Sequence, residues 1–309
     1  MPSKLSNILH LLRIRQYYKN GLIFVGIFFS ERLFDFNLYF PLLVGFILLC
    51  CSSSFNYIIN DLRDIQKDKI HLEKIRKKPL ASGEISKTLA VIILVLLGII
   101  IILGLLFLVP KQNQIIFALM VAAIIITGQA YNLFFKFYAF IDILVLSTGY
   151  LWRALAGCAL INEYVSAWLF LAIFEVAMFL SIAKRRGDLL YLGKDKAVEH
   201  KKVYDQYSPK LLDQFHTIIA ASLFMTYSLY LIFKFNLDKP VSVNLYEYIA
   251  IFTIPISLYI IMRYMYLTSS KPEIARKTEK AFFDKGIIIA GICLIVTLFW
   301  SFYFDILLF

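Results

Sequence analysis

Nine apolar stretches, separated by short charged connections, run along this chain at roughly 21–35, 38–59, 88–109, 114–134, 140–161, 164–183, 215–235, 245–267 and 286–307. Most are near the length of about 20 residues that a helix needs to cross about 30 Å of hydrocarbon. The first is short and suits a tilted or re-entrant segment. Backbone groups in lipid must pair internally, so spans are helices or closed barrels, and uninterrupted apolar runs this long exclude the barrel. The pattern predicts an all-α, polytopic membrane protein with nine transmembrane helices and its termini on opposite sides.

Charge orients that arrangement. With the N-terminus cytoplasmic, one side holds Lys4–Lys19, the loop 60–87, the turn at Lys136, the loop 184–214 and the loop 263–285. By count this side carries 27 of the 32 Lys and Arg residues, which places it inside. The other side has only Arg32, Lys111, Lys234 and Lys239, and Arg153 falls within a span. The expected location is a bacterial-type plasma membrane. The inner loops are also the long ones, where function concentrates.

Composition agrees: a chain that is 60% hydrophobic, with mean hydropathy +0.74, is too apolar for a soluble enzyme of 309 residues. The net charge of +11 raises nucleic acid as a partner. The basic residues fall between apolar runs, however, so topology and anionic ligands explain them and no nucleic acid is expected. Cys50, Cys51, Cys158 and Cys293 lie in apolar segments without metal-ligand spacing and read as free, packed thiols. The start of the chain lacks a small-residue cleavage site, so no removable signal peptide is expected.

One stretch concentrates the polar chemistry. In Phe55–Ser86, Asn60, Asp61, Asp64 and Asp68 crowd the point where the second span leaves the membrane. On a helix, 61, 64 and 68 share a face and Asn60 lies one turn before Asp64. Carboxylates this close repel one another, and near a helix C-terminus the macrodipole disfavours them too. Hard oxygen donors of this kind suit Mg²⁺, which keeps several waters and bridges a few carboxylates to a substrate's phosphates. Lys69, Lys74, Arg76, Lys77 and Lys78 follow, before Pro79-Leu80-Ala81-Ser82-Gly83. Acid first and base after is what a magnesium–diphosphate ligand requires.

NDLRDIQKD followed by RKKPLASG resembles the first signature of the UbiA superfamily of intramembrane prenyltransferases. Three further stretches resemble its decaprenyl-phosphate phosphoribosyltransferase branch: Arg13-Ile14-Arg15-Gln16-Tyr17-Tyr18-Lys19-Asn20; Tyr131 and Lys136 with Asp142 and Arg153-Ala154-Leu155-Ala156-Gly157; and Ala183-Lys184-Arg185 with Tyr207-Ser208-Pro209. The resemblance implies nine helices around a central cavity open to the cytoplasm, in a single membrane domain over 1–309. It implies Mg²⁺ held by Asp61, Asp64, Asp68 and Asn60. It implies substrate contacts from Lys19, Arg63, Arg76, Lys78, Tyr131, Lys136, Asp142, Arg153, Lys184 and Arg185. Alternative roles stand beside these. Asp142 suits the first turn of a helix, Tyr131 an interfacial belt, and Arg153 an ion pair with Glu175. A homo-oligomer, specifically a trimer, is expected on the resemblance alone.

Prenyltransferases of the superfamily usually carry a second acidic cluster after span six. Here that position reads Lys184-Arg185-Arg186-Gly187-Asp188. One acidic and one basic cluster suit two anionic substrates. The implied reaction transfers 5-phosphoribose from phosphoribosyl pyrophosphate to a polyprenyl phosphate, with membrane lipids around the tail and a lipid-linked phosphoribose for envelope glycans as product. The alternatives are prenyl transfer from a prenyl diphosphate to an aromatic acceptor, and a lipid-phosphate carrier or transporter.

Overall fold

The computed structural model describes residues 4–69, 75, 78–164, 166–237, 245–276 and 278–308. The described elements are all helical: α1 (Lys4–Leu12), a 3-10 helix (Ile14–Phe24), α2 (Val25–Phe29), α3 (Tyr39–Asp68), α4 (Pro79–Ser82), α5 (Lys87–Phe107), α6 (Lys111–Leu133) and α7 (Ile141–Ile161). They continue through α8 (Ala167–Leu192), α9 (Lys194–His200), α10 (Pro209–Lys234), α11 (Leu245–Ile251), α12 (Thr253–Ser270), α13 (Pro272–Arg276) and α14 (Lys285–Leu308). Among the described residues, eight helical segments are long and apolar enough to cross a bilayer. The protein is a multi-pass integral membrane protein.

The segment expected first, 21–35, is broken instead of continuous. The 3-10 helix runs to Phe24, α2 lasts five residues, and Glu31 turns the backbone left-handed at φ 63°. Two polar anchors account for this. Asn20 is buried and hydrogen-bonded, and Arg32 is ion-paired to Asp35 and Glu163.

Elsewhere helices outrun their apolar windows. α3 carries all four residues Asn60, Asp61, Asp64 and Asp68, and α8 continues through Lys184–Asp188 to Leu192. α10 starts at Pro209, not near 215. The connections expected over 60–87 and 184–214 are therefore shorter than the charge pattern implies. Hydropathy marks where lipid ends, whereas i→i−4 bonding continues until a breaker intervenes. At 30 residues, α3 is about 45 Å long and exceeds about 30 Å of hydrocarbon, so its polar end projects.

Several motif residues turn out to be stop and start signals. Pro79 opens α4 and Gly83, at φ 80°, closes it. The Ser86 hydroxyl accepts from the Leu89 N–H to begin α5. Ser208 caps α10 through the Leu211 N–H, with Pro209 in the first turn.

The chain forms two compact units, Met1–Leu133 with Gly149–Tyr164, and Phe134–Thr148 with Val165–Phe309. In the first, Ile23, Ile27, Leu42, Leu49, Phe117 and Leu160 form one core. A second set, Leu11, Ile58, Ile65, Leu80, Ile85 and Leu97, fastens α1, α4 and the polar end of α3 together. In the second unit, Ile182, Leu189, Val203, Tyr204, Tyr207 and Leu212 pack the connection after α8 onto α8 and α10.

Gly157 is the tightest joint in the first unit. A Cβ added there would lie 1.9 Å from the Ile23 carbonyl oxygen. Backbone cannot swing aside as a side chain can, so Gly157→Ala is expected to cost at least the 1–3 kcal/mol typical of overpacking. A lowered melting temperature in detergent is the check.

Candidate active site

In the first unit, the acidic face of α3 meets two cations from elsewhere. Asp61 Oδ1 accepts from Arg13 Nη2 at 2.8 Å and pairs with Lys78 Nζ at 2.8 Å. Lys78 also donates to Asp68 Oδ2 at 2.5 Å. Both carboxylates are buried. Burial opposes the Lys78 charge, yet Asp61 and Asp68 outweigh it and raise its pKa above the ordinary lysine value. The Pro79–Gly83 motif positions this lysine, since α4 follows it directly and Leu80 and Ile85 pack into the core beside α3.

Asn60 and Asp64 differ from their neighbours. Asp64 is half-buried and forms no hydrogen bond or ion pair among the described residues. The Asn60 Oδ1 atom, one turn earlier, is buried and has no partner among the described residues. Among the described residues, no three acidic, histidine or cysteine side chains converge as a ready-made metal cage. The donor set left open is narrower than the four residues expected, because Asp61 and Asp68 already answer Lys78 and Arg13. It still fits magnesium: two oxygen ligands on one helix face, one of them an orphaned amide oxygen, for an ion that retains waters.

The remaining expected residues of this unit lie along the same helix or beside it. Arg63 is exposed and donates to Gln129 Oε1 at 3.3 Å. Lys19 donates to Gln16 Oε1 at 3.3 Å, and the same oxygen accepts from the Tyr57 hydroxyl at 2.8 Å. Tyr131 is half-buried near the end of α6. Arg153 Nε donates to Asn20 Oδ1 at 2.7 Å, and its other nitrogens reach the Gly149 carbonyl and Ser53 Oγ. Arg76 lies outside the described residues. Arg13, quoted above only as part of a motif, proves to be a direct partner of Asp61; its spacing from the acids gave no local signal of that.

In the second unit the expected anion-binding residues divide. Asp142 and Arg185, 1% and 4% exposed, form a buried pair in which Nε and Nη2 reach Oδ2 at 2.7 and 2.5 Å. Tyr207 completes it, donating to Asp142 Oδ1 at 2.7 Å and accepting from the Phe140 N–H at 2.7 Å. Burial, with the Asp142 charge beside it, pushes the Tyr207 phenol up, so it remains a donor. Arg185 is thus spent on the protein itself. Arg186 pairs with Asp213. Asp188 takes Tyr204 at 2.6 Å and Arg276 at 2.9 Å. Glu175, the alternative partner for Arg153, accepts from Ser222 in its own unit. Lys136 sits 5.4 Å from the Phe137 ring centre.

Two lysines beside these pairs form no ion pair with a carboxylate among the described residues. Lys184 is exposed and makes no ion pair among the described residues. Lys201, missed in the sequence because it lies far from any motif, has solvent-reachable surface but is crowded by protein. That crowding, then the Arg185 and Lys184 charges, lowers its pKa to about 8. An excess of positive charge beside committed carboxylates attracts anions.

Helices that span a bilayer, one of them ending in a face of carboxylate and amide oxygens, belong to an intramembrane enzyme of the transferase class. The UbiA prenyltransferase family profile matches residues 21–286, and the chain belongs to that family. It is 26% identical over 235 residues to decaprenyl-phosphate phosphoribosyltransferase of Corynebacterium glutamicum, covering 74% of this chain and 68% of that one. It is 28% identical over 187 residues to the protein of the same name from Mycobacterium tuberculosis, covering 60% of each. Among solved structures, a UbiA homologue from Archaeoglobus fulgidus bound to GPP and Mg²⁺ superposes with a TM-score of 0.65. That match has 16% identity and covers 96% of this chain and 98% of the other, so it shows a shared fold.

Two outcomes follow from the charges. Lys201 is protonated below about pH 8 and neutral above it, so the dissociation constant for inorganic phosphate should rise between pH 7 and 9. Calorimetric titration should show that rise in the native chain and not in Lys201→Met. Arg185→Met should lose about 3–5 kcal/mol of stability by stranding Asp142, and adding Asp142→Leu should recover most of it. Thermal unfolding of the three proteins in detergent checks this.

Proposed function

We propose that the protein transfers 5-phosphoribose from phosphoribosyl pyrophosphate to a polyprenyl phosphate, releasing diphosphate at the cytoplasmic face of a bacterial plasma membrane. The observation that carries this reading is the division of charge. Asn60 and Asp64 offer open oxygen donors beside Lys78 and Arg13, while the end of α8, where prenyl diphosphate enzymes carry further acids, holds Lys184, with Lys201 near it. By their own chemistry the oxygen donors suit a metal-bound diphosphate and the lysines suit a phosphate, the groups that two phosphorylated substrates bring. The names of the corynebacterial and mycobacterial relatives agree.

In this mechanism Asn60 and Asp64 would hold magnesium, with Asp61 joining them once its cations turn to the substrate. The ion, when bound, supplies charge neutralisation for the departing diphosphate. Lys78 and Arg13 release Asp61 in favour of the diphosphate's remaining oxygens, which bring more negative charge than a single carboxylate. Lys184 and Lys201 hold the phosphate of the lipid acceptor. The C1–O bond to diphosphate breaks with its electron pair on the leaving oxygen, and an oxygen of the already ionised lipid phosphate forms the new bond to C1. No general base is needed. The apolar faces of the spans keep water away from the positively charged ribosyl centre, which limits hydrolysis.

Purified protein in nanodiscs, given Mg²⁺, a polyprenyl phosphate and ribose-labelled phosphoribosyl pyrophosphate, should move label into the lipid fraction. A parallel arm with a prenyl diphosphate and an aromatic acceptor should give no product; product there alone would establish prenyl transfer instead. Asp64→Asn should reduce turnover at least 100-fold with an unchanged melting temperature, and chelating the divalent ion should have the same effect.

A further inference from the structure

Within the first unit, the Arg153 guanidinium meets no carboxylate among the described residues. Arg153 lies on α7, inside a span, and is half-buried. Its hydrogen-bond partners among the described residues are Asn20 Oδ1, Ser53 Oγ and the Gly149 carbonyl, all neutral. An aromatic face, that of Tyr150, lies 5.9 Å away. An ionised group within a membrane bundle normally pairs or faces a polar cavity, and one without a counter-charge marks a functional site. Guanidinium also presents a fork of donors that matches phosphate oxygens.

Ser53 ties that charge to the acidic face of α3. Positions 53, 57, 60, 61, 64 and 68 fall within a sector of about 100° of the helix, and Ser53 lies about 12 Å along the axis from Asp61. The stretch between them is polar. The Tyr57 hydroxyl donates to Gln16, and the Arg13 guanidinium sits 4.4 Å over the Tyr57 ring while binding Asp61. A single stripe therefore runs from an unpaired arginine, past hydroxyl and amide groups, to the open oxygens of Asn60 and Asp64. A ligand that lies along it carries an anionic group at each end and hydrogen-bonding groups in the middle.

We infer that Arg153, with Asn20 and Ser53, forms a phosphate-monoester subsite that takes the 5-phosphate of the sugar donor and so selects phosphoribosyl over prenyl diphosphates. This rests on the activity proposed above, and it adds what that activity lacks, a way to recognise the donor by its second anionic end. A prenyl diphosphate has a hydrocarbon tail where this stripe offers hydroxyls and a cation. A lipid phosphate has the right headgroup, but its tail has no use for Tyr57, Gln16 and Asn20. Asn20 and Ser53 act as positioning residues, since each already holds the arginine.

The test measures binding apart from turnover. Ribose 5-phosphate, magnesium diphosphate and farnesyl phosphate are titrated calorimetrically into nanodisc-embedded protein. Arg153→Gln should weaken ribose 5-phosphate at least 30-fold and leave magnesium diphosphate within threefold, which also certifies the fold. Asn20→Asp places a carboxylate against the guanidinium. It should raise the melting temperature while abolishing ribose 5-phosphate binding, an outcome that a purely structural arginine would not give. Equal ribose 5-phosphate affinity in the native chain and Arg153→Gln would overturn the subsite. So would farnesyl phosphate as the Arg153-dependent ligand, which would give the site to the lipid. If labelled donor never reaches a lipid but ribose 5-phosphate binding still depends on Arg153, the proposed activity fails and the subsite stands.

Discussion

Lys78 bridges Asp61 and Asp68, and the chemistry of the first unit is arranged around that contact. Two buried carboxylates on one helix face would repel each other with little water to screen them. A lysine delivered by a Pro-initiated turn, with Arg13 beside Asp61, removes most of that cost. What remains is selective. Asp64 and the Asn60 amide oxygen stay open, so an incoming ion meets few ligands and keeps part of its own water. The same rule governs the second unit, where Asp142, Arg185 and Tyr207 close on one another and Lys184 and Lys201 stand outside that pairing.

Charge accounting also separates structural residues from candidates for chemistry in a way that motif matching does not. Arg185 and Arg153 both lie in recognisable signatures, yet one is sealed against a carboxylate and the other touches only neutral acceptors. Tyr207, Ser208 and Pro209 form one motif with divided roles: a hydrogen bond to Asp142, a helix cap and a first-turn proline. Gly157 closes another motif for a reason of space alone, the nearness of the Ile23 carbonyl.

Most of the architecture was legible in the sequence. Long apolar runs fix membrane helices because lipid leaves the backbone no other solution, and the placement of acids on one face of α3 followed from helical spacing. The helix ends were less visible. Nothing in hydropathy distinguishes a charged loop from a charged helix that projects beyond the lipid, so the apolar pattern ends both α3 and α8 too early. The first segment hides its break for a different reason: its apolar residues mask the anchors Asn20 and Arg32 and the left-handed turn at Glu31. Partnerships distant in sequence, such as Arg13 with Asp61 and Lys201 with the Arg185 neighbourhood, leave no local trace at all.

The connection after α8 is fastened twice, by Tyr204 on Asp188 and by Tyr207 on Asp142, and its core face is packed by Val203 and Leu212. A segment pinned in this way behaves as a strut and not as a hinged cover. The entropy of ordering it is spent during folding and is not charged again when a substrate arrives. Lys201 is consequently held ready on a rigid support, so whatever anion it receives is met by a group whose position was settled beforehand.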